Sequence, residues 1–148
     1  MSTPKGAALS VRLPTELVQR LERAARRKGL PKSSLVERYL EEGLRIEAHP
    51  GITFRDGPAG RRPGLVRGPD VWEVVSTLRV NDGSISATAE VLSLTERDVR
   101  TALGYFGDHP DEIEHWIRAN EEEAARAEAA WRRLRSTEPA PPARVSPP

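Results

Sequence analysis

The chain has 148 residues, 37% hydrophobic and 30% charged, with a formal net charge of +1. That length holds one medium domain or two small ones, each with a modest core. There is no cysteine, which excludes disulfides, thiolate metal sites and thiol nucleophiles and makes a reducing compartment the simplest reading.

No apolar run approaches the roughly eighteen residues of a membrane span. The N-terminus lacks the apolar stretch of a secretory signal. The expectation is a cytoplasmic protein without membrane contact. Charge is distributed unevenly: +4 over 1–48, +3 over 49–69, −6 over 70–120 and zero over 121–148. A basic first half suits nucleic acid; an acidic middle does not.

Residues 1–7 read as a flexible arm. Ala8–Pro14 then alternates, with Leu9, Val11 and Leu13 on one side and Ala8, Ser10 and Arg12 on the other. A period of two marks a half-buried strand. A lone strand needs a partner, and no strand-like run follows for roughly forty residues. The same strand from a second copy satisfies it. Such a two-stranded ribbon has one apolar face for a core and one polar face that fits a DNA major groove.

Two helical patterns follow. Leu17, Val18, Leu21, Ala24 and Ala25 share one face of the first, which Arg26, Arg27 and Lys28 finish and Gly29 stops. Leu30–Ser34 is the turn. Ser34 with Glu37 forms a candidate capping box. Leu35, Val36, Tyr39, Leu40, Gly43 and Leu44 line a second helix that ends near Glu47.

On Leu9–Pro14, the Gly29 turn and Lys32-Ser33-Ser34-Leu35, residues 8–47 resemble the ribbon-helix-helix repressors and antitoxins, the CopG, Arc and MetJ group. The resemblance implies an intertwined homodimer that inserts its paired strands into operator DNA. It assigns base reading to Ala8, Ser10 and Arg12, and a phosphate contact to the start of the second helix at Lys32, Ser33 and Ser34. The phosphate contact also follows from helix-terminus physics. Ala8 cannot hydrogen-bond, so reading there is reduced to a thymine methyl or to nothing.

Residues 49–69 are rich in glycine and proline and carry Arg55, Arg61, Arg62 and Arg67. Ile52-Thr53-Phe54, the Asp56-Gly57 turn and Gly64-Leu65-Val66 predict a short hairpin, or a loop with two extended arms, that caps the next domain. From Pro69 the helical period resumes. Val71, Trp72, Val74, Val75 and Leu78 give a buried helix to about Val80. Ser84–Leu92 gives a short one, and Thr95 caps a third that runs to about Phe106. Ala89, Val91, Leu92, Leu94, Val99, Ala102 and Leu103 have helix-turn-helix core spacing. A long helix starts at Asp111 and extends through 119–135. Residues 136–148 hold five prolines and read as a disordered tail.

The run His49-Pro50-Gly51-Ile52 through Arg62, with Asp70–Val75 and Asp108–Ile113, resembles a helix-turn-helix-like domain of unknown function found in antitoxins of PIN-like ribonuclease toxins. The match spans about 49–118 and implies a context more than a mechanism. The fold expectation is therefore mainly α: a ribbon-helix-helix over 1–48, a basic linker or hairpin over 49–69, a helix-turn-helix-like domain over 70–118, and an extended helix over 119–135.

Other chemistry finds little support. Glu112 and His115 make half of a carboxylate–histidine metal spacing, and the other half is missing. The Asp56–Arg62 glycine-rich run lacks the lysine and hydroxyl of a phosphate loop. The front of the third helix carries Glu96 and Asp98 beside Arg97 and Arg100, a charge mix that opposes phosphate binding. No enzyme activity, cofactor or metal is expected. Trp131 and Leu134 stand out on a helix otherwise built of Glu, Ala and Arg. Either they pack on the same domain or the dimer mate, or they anchor a helix in a partner's groove. The second option makes Arg126, Trp131, Arg132, Leu134 and Arg135 the contact to a cognate toxin, with the arginines blocking an acidic nuclease site. The expected function is an autorepressing antitoxin; the alternative is a stand-alone regulator whose second domain makes other protein contacts.

Overall fold

The computed structural model describes residues 6–136. The expected arm before residue 6 and the expected tail after Ser136 lie outside the described residues. The chain is mainly helical and divides into two compact units, with the boundary between Ala48 and His49.

The first unit is a helix pair, α1 (Thr15–Lys28) and α2 (Lys32–Ala48). Gly29 ends α1 in a left-handed conformation, φ 62°, and its N–H donates to the Arg26 carbonyl while that of Leu30 donates to Ala25. This turns the chain back, as an achiral residue at that position allows. The candidate capping box is corrected. The helix starts at Lys32, with Leu35 N–H donating to Pro31 at 3.1 Å, so Ser34 already lies inside it and cannot cap. Pro31 stands just before the first helical residue with its dihedral preset, and its carbonyl accepts the first helical bond, but it has no side-chain acceptor.

The expected strand over 8–14 is not formed in the single chain. Residues 6–14 have no ladder partner among the described residues, and all are exposed. A β-strand exists only as part of a pair, and one chain offers no mate.

The second unit begins with a hairpin, β1 (Ile52–Gly57) and β2 (Gly60–Leu65), paired antiparallel from Ile52↔Leu65 to Gly57↔Gly60. Then come α3 (Val71–Val80), α4 (Ile85–Leu92), α5 (Glu96–Asp108) and α6 (Pro110–Ser136). Ile52 and Leu65 from the hairpin join Val71, Val74, Val75, Val99, Ala102, Tyr105, Ile113 and Ile117 in one core. Of the two expectations for 49–69, linker or hairpin, the hairpin forms, and it is part of the domain. Ser84 caps α4 through Ala87 N–H at 3.2 Å, and Thr95 caps α5 through a reciprocal bond with Asp98. Of the expected helix-turn-helix core, Val91 is misplaced: it is exposed, because α4 turns that side to solvent.

Asp70 ties the hairpin to α3. Its side chain is only 6% exposed and takes Arg55 Nη2 at 2.9 Å and Arg62 Nε. Arg55 Nη1 also donates to the carbonyls of Leu65 and Gly68, at 3.3 and 2.9 Å. The guanidiniums need room to reach it, and two glycines supply that room. A Cβ at Gly64 would lie 2.7 Å from Arg55 Cζ, and one at Gly57 would lie 2.7 Å from Arg62 Cζ.

Candidate nucleic-acid interface

Unit one carries the residues expected to meet DNA. Ala8, Ser10 and Arg12 are all exposed and stand before α1 on the segment that lacks a partner. Lys32, Ser33 and Ser34 form the first turn of α2 and are exposed as well. That turn contains no acidic residue. Its N–H groups, which an α-helix leaves without intrahelical acceptors, sit at the positive end of the helix dipole. Lys32 Nζ bonds Glu22 Oε1 at 3.1 Å. Both side chains are about half exposed, and a surface pair of this kind is worth little and is readily exchanged.

The apolar side of the unit is equally open. Among its described residues only Ala25 and Leu35 are buried. Leu9, Val11, Leu13, Leu17, Tyr39, Leu40 and Leu44 all face solvent. A groove lined by Leu17, Leu21, Ala24 and Tyr39, with Arg20, Arg23 and Arg27 at its rim, runs along α1 and α2.

The arginines after the boundary are not available in the way the charge count implies. Arg55 and Arg62 are committed to Asp70, and Arg61 Nη1 is 3.3 Å from Asp56 Oδ1. Asp70 adds one negative charge to the +3 of 49–69, so the hairpin stays basic by about two charges, but two of its four arginines are held inward on that carboxylate and a third pairs with Asp56. The glycine-rich Asp56–Arg62 run is the closed end of the hairpin: Asp56 and Gly57 pair with Arg61 and Gly60, and the turn is Pro58-Ala59, not Asp56-Gly57 as expected.

The start of α5 is occupied by its own acids. Asp98 Oδ2 accepts from Thr95 N–H at 3.0 Å and from Thr95 Oγ1 at 2.6 Å, and Glu96 pairs with Arg100 at 2.9 Å. The Thr95 hydroxyl, then its backbone N–H, hold the Asp98 carboxyl below its ordinary value, while partial desolvation works against them. A helix N-terminus filled by an ionised carboxylate has nothing to offer a phosphate.

One grouping was not foreseen. His49, Tyr105 and His109 come together, with ring centroids 5.2 Å apart for His49–Tyr105 and 4.5 Å for Tyr105–His109. His49 Nε2 lies 3.0 Å from Asp108 Oδ2. Tyr105 is fully buried and donates its hydroxyl to Glu112 Oε2 at 2.8 Å. Glu112 is thereby turned to Tyr105, while His115 packs against Trp116, so their spacing does not assemble a ligand pair. Among the described residues no three His, Cys, Asp or Glu side chains are grouped to hold a metal ion.

The partner-binding candidates sit on α6. Ile113 and Ile117 pack it onto the domain, and every residue from 120 to 136 is exposed. Arg126, Trp131, Arg132, Leu134 and Arg135 all belong to that exposed part, where Arg132 also bonds Glu128 one turn earlier. Among the described residues no helix is long and apolar enough to cross a membrane.

Comparison with known proteins finds no family, no curated protein and no solved structure that matches this chain.

Proposed function

We propose that the chain is the antitoxin of a toxin–antitoxin pair, which binds operator DNA as a dimer, represses its own operon and neutralises a PIN-like ribonuclease through its C-terminal helix. The observation that carries the DNA half is the open apolar side of unit one. A helix pair that buries only Ala25 and Leu35 and exposes Leu9, Val11 and Leu13 beside Leu40 and Leu44 lacks most of a core. A second copy supplies it, and pairing the two 8–14 segments leaves Ser10 and Arg12 on the outer face.

In this reading Arg12 bonds a guanine edge or a phosphate, and the first turn of α2 holds a phosphate. The acid-filled start of α5 leaves the ribbon as the sole reader. The toxin half is supported by the exposure of Trp131 and Leu134 among arginines. The stand-alone regulator shares the same DNA chemistry and lacks the toxin. Co-expression with the neighbouring reading frame, followed by co-purification and a gel shift on the upstream DNA, separates the two. Recovery of a nuclease bound to the chain supports the antitoxin; a DNA shift with no bound neighbour supports the regulator.

A further inference from the structure

We propose that, in the absence of toxin, the exposed half of α6 pairs antiparallel with the same segment of a second copy. The seam is visible as a spacing. Ile113, Ile117, Asn120, Ala124, Ala127, Trp131 and Leu134 follow one another at alternate intervals of four and three residues. That is the period of a coiled-coil seam, which keeps one stripe facing a neighbour. Its first two members are buried in the domain core. From Asn120 onward the same stripe is in solvent, with Trp131 60% and Leu134 65% exposed.

Volume and charge both select the antiparallel arrangement. Centred between Ala127 and Trp131, it sets Trp131 against Ala127 of the second copy and Leu134 against Ala124. Each large side chain then fills the space left by a small one. An in-register parallel pair would stack Trp131 on Trp131 and hold the alanine end apart, which forfeits contact there. Glu121, Glu122 and Glu123 stand at one end of the segment and Arg132, Arg133 and Arg135 at the other. Antiparallel helices place opposite charges side by side and oppose their dipoles. On the flank of the seam Glu121, Glu128 and Arg135 follow at seven-residue steps, so the two Arg135 residues each meet Glu121 of the other copy, while the two Glu128 residues lie near the axis, where each keeps its own Arg132. A parallel pair would instead bring Glu128 against Glu123.

The contact is isologous, as a two-fold axis requires. It is short, and its strength rests on the N-terminal dimer proposed above, which raises the effective concentration of one α6 for the other. Trp131 and Leu134 are then sheathed until a toxin displaces the second copy.

The absence of cysteine makes the test clean. The full chain is prepared with Ala124→Cys and Leu134→Cys together, and with each alone, and is oxidised under mild conditions. Both positions are exposed, so the fold is not at risk. In the antiparallel pair the two positions face each other across the axis, while each lies far from its own copy. The expected result is a covalent species of roughly doubled mass from the double variant and none from either single variant. Cross-linking by Ala124→Cys alone would mean a parallel pair and overturn the proposal, as would no cross-link from the double variant. The mass of a chain cut after residue 118, which keeps the core but lacks the exposed half of α6, reports the N-terminal dimer separately, so failure of that reading is distinguishable.

Discussion

Arg55 reaches Asp70 across fifteen residues of chain, its Nη2 donating to Oδ1 at 2.9 Å on a carboxylate that Arg62 engages from the other side. One nearly buried anion thus holds two strands of a hairpin to the first turn of α3.

Asp70→Ala is expected to destabilise the second unit by about 2–3 kcal/mol. Removing one partner of a buried pair leaves the other charge uncompensated; the figure falls below the fully buried range because Arg55 and Arg62 are 39% and 26% exposed. Asp70→Asn keeps the shape and a hydrogen-bond acceptor and should lose less. Urea denaturation followed by tryptophan fluorescence reads both. Equal midpoints for wild type and Asp70→Ala would remove the clamp from the account.

Arg12→Ala should abolish specific operator binding while the dimer survives. A bidentate guanine contact is worth about 1–3 kcal/mol, and a dimer makes it twice, so the loss is at least about tenfold. Gel shift measures the affinity and sedimentation the dimer. Unchanged affinity would take Arg12 out of the interface.

Deleting 119–148 should abolish toxin neutralisation and leave the operator shift intact. Among the described residues none of this segment joins the core, whose last member is Ile117. A truncated chain that still protects cells from the toxin would move the contact into 49–118.

Acid should weaken the start of α5. The folded Asp98 carboxyl is held below its unfolded value, first by the Thr95 hydroxyl. Its contribution is complete above the unfolded value, roughly pH 4, and is lost as the pH falls through the folded one. Thr95→Val removes the largest cause, so the acid limb of a helicity-against-pH curve should become shallower. An identical limb in the variant would show that the cap does not titrate with the fold.

What the sequence made legible was short-range. Gly29 ending α1, Thr95 capping α5 and a helix opening at Ser84 all follow from backbone geometry within a few residues; the hairpin itself forms, but its turn falls at Pro58-Ala59 and the expected turn residues Asp56 and Gly57 pair in β1. Ser34 failed by the same kind of reasoning, because Pro31 and Ser34 compete for the helix start and nothing local ranks them. Val91 failed because spacing gives the period of a helix but not which side a neighbour covers. The least legible feature was the fate of the arginines. Arg55 and Arg62 find Asp70 fifteen and eight residues away, only once the hairpin has folded back onto α3. A count of charges does not reveal that both are held to one carboxylate. The expected reading side chains Ser10 and Arg12 are exposed in a segment that forms neither helix nor strand in the single chain.

Gly57 and Gly64 have a consequence for how this domain can vary. Each lies over a guanidinium that belongs to the opposite strand, so the penalty of a methyl group there depends on another position. Gly64→Ala should be harmful beside Arg55 and mild where residue 55 is short; Gly57→Ala and Arg62 are linked in the same way. A scan of single substitutions would read each cost as the glycine's own. A pairwise scan would show instead that glycine and arginine are exchangeable only together, two linked couples that drift as units or not at all.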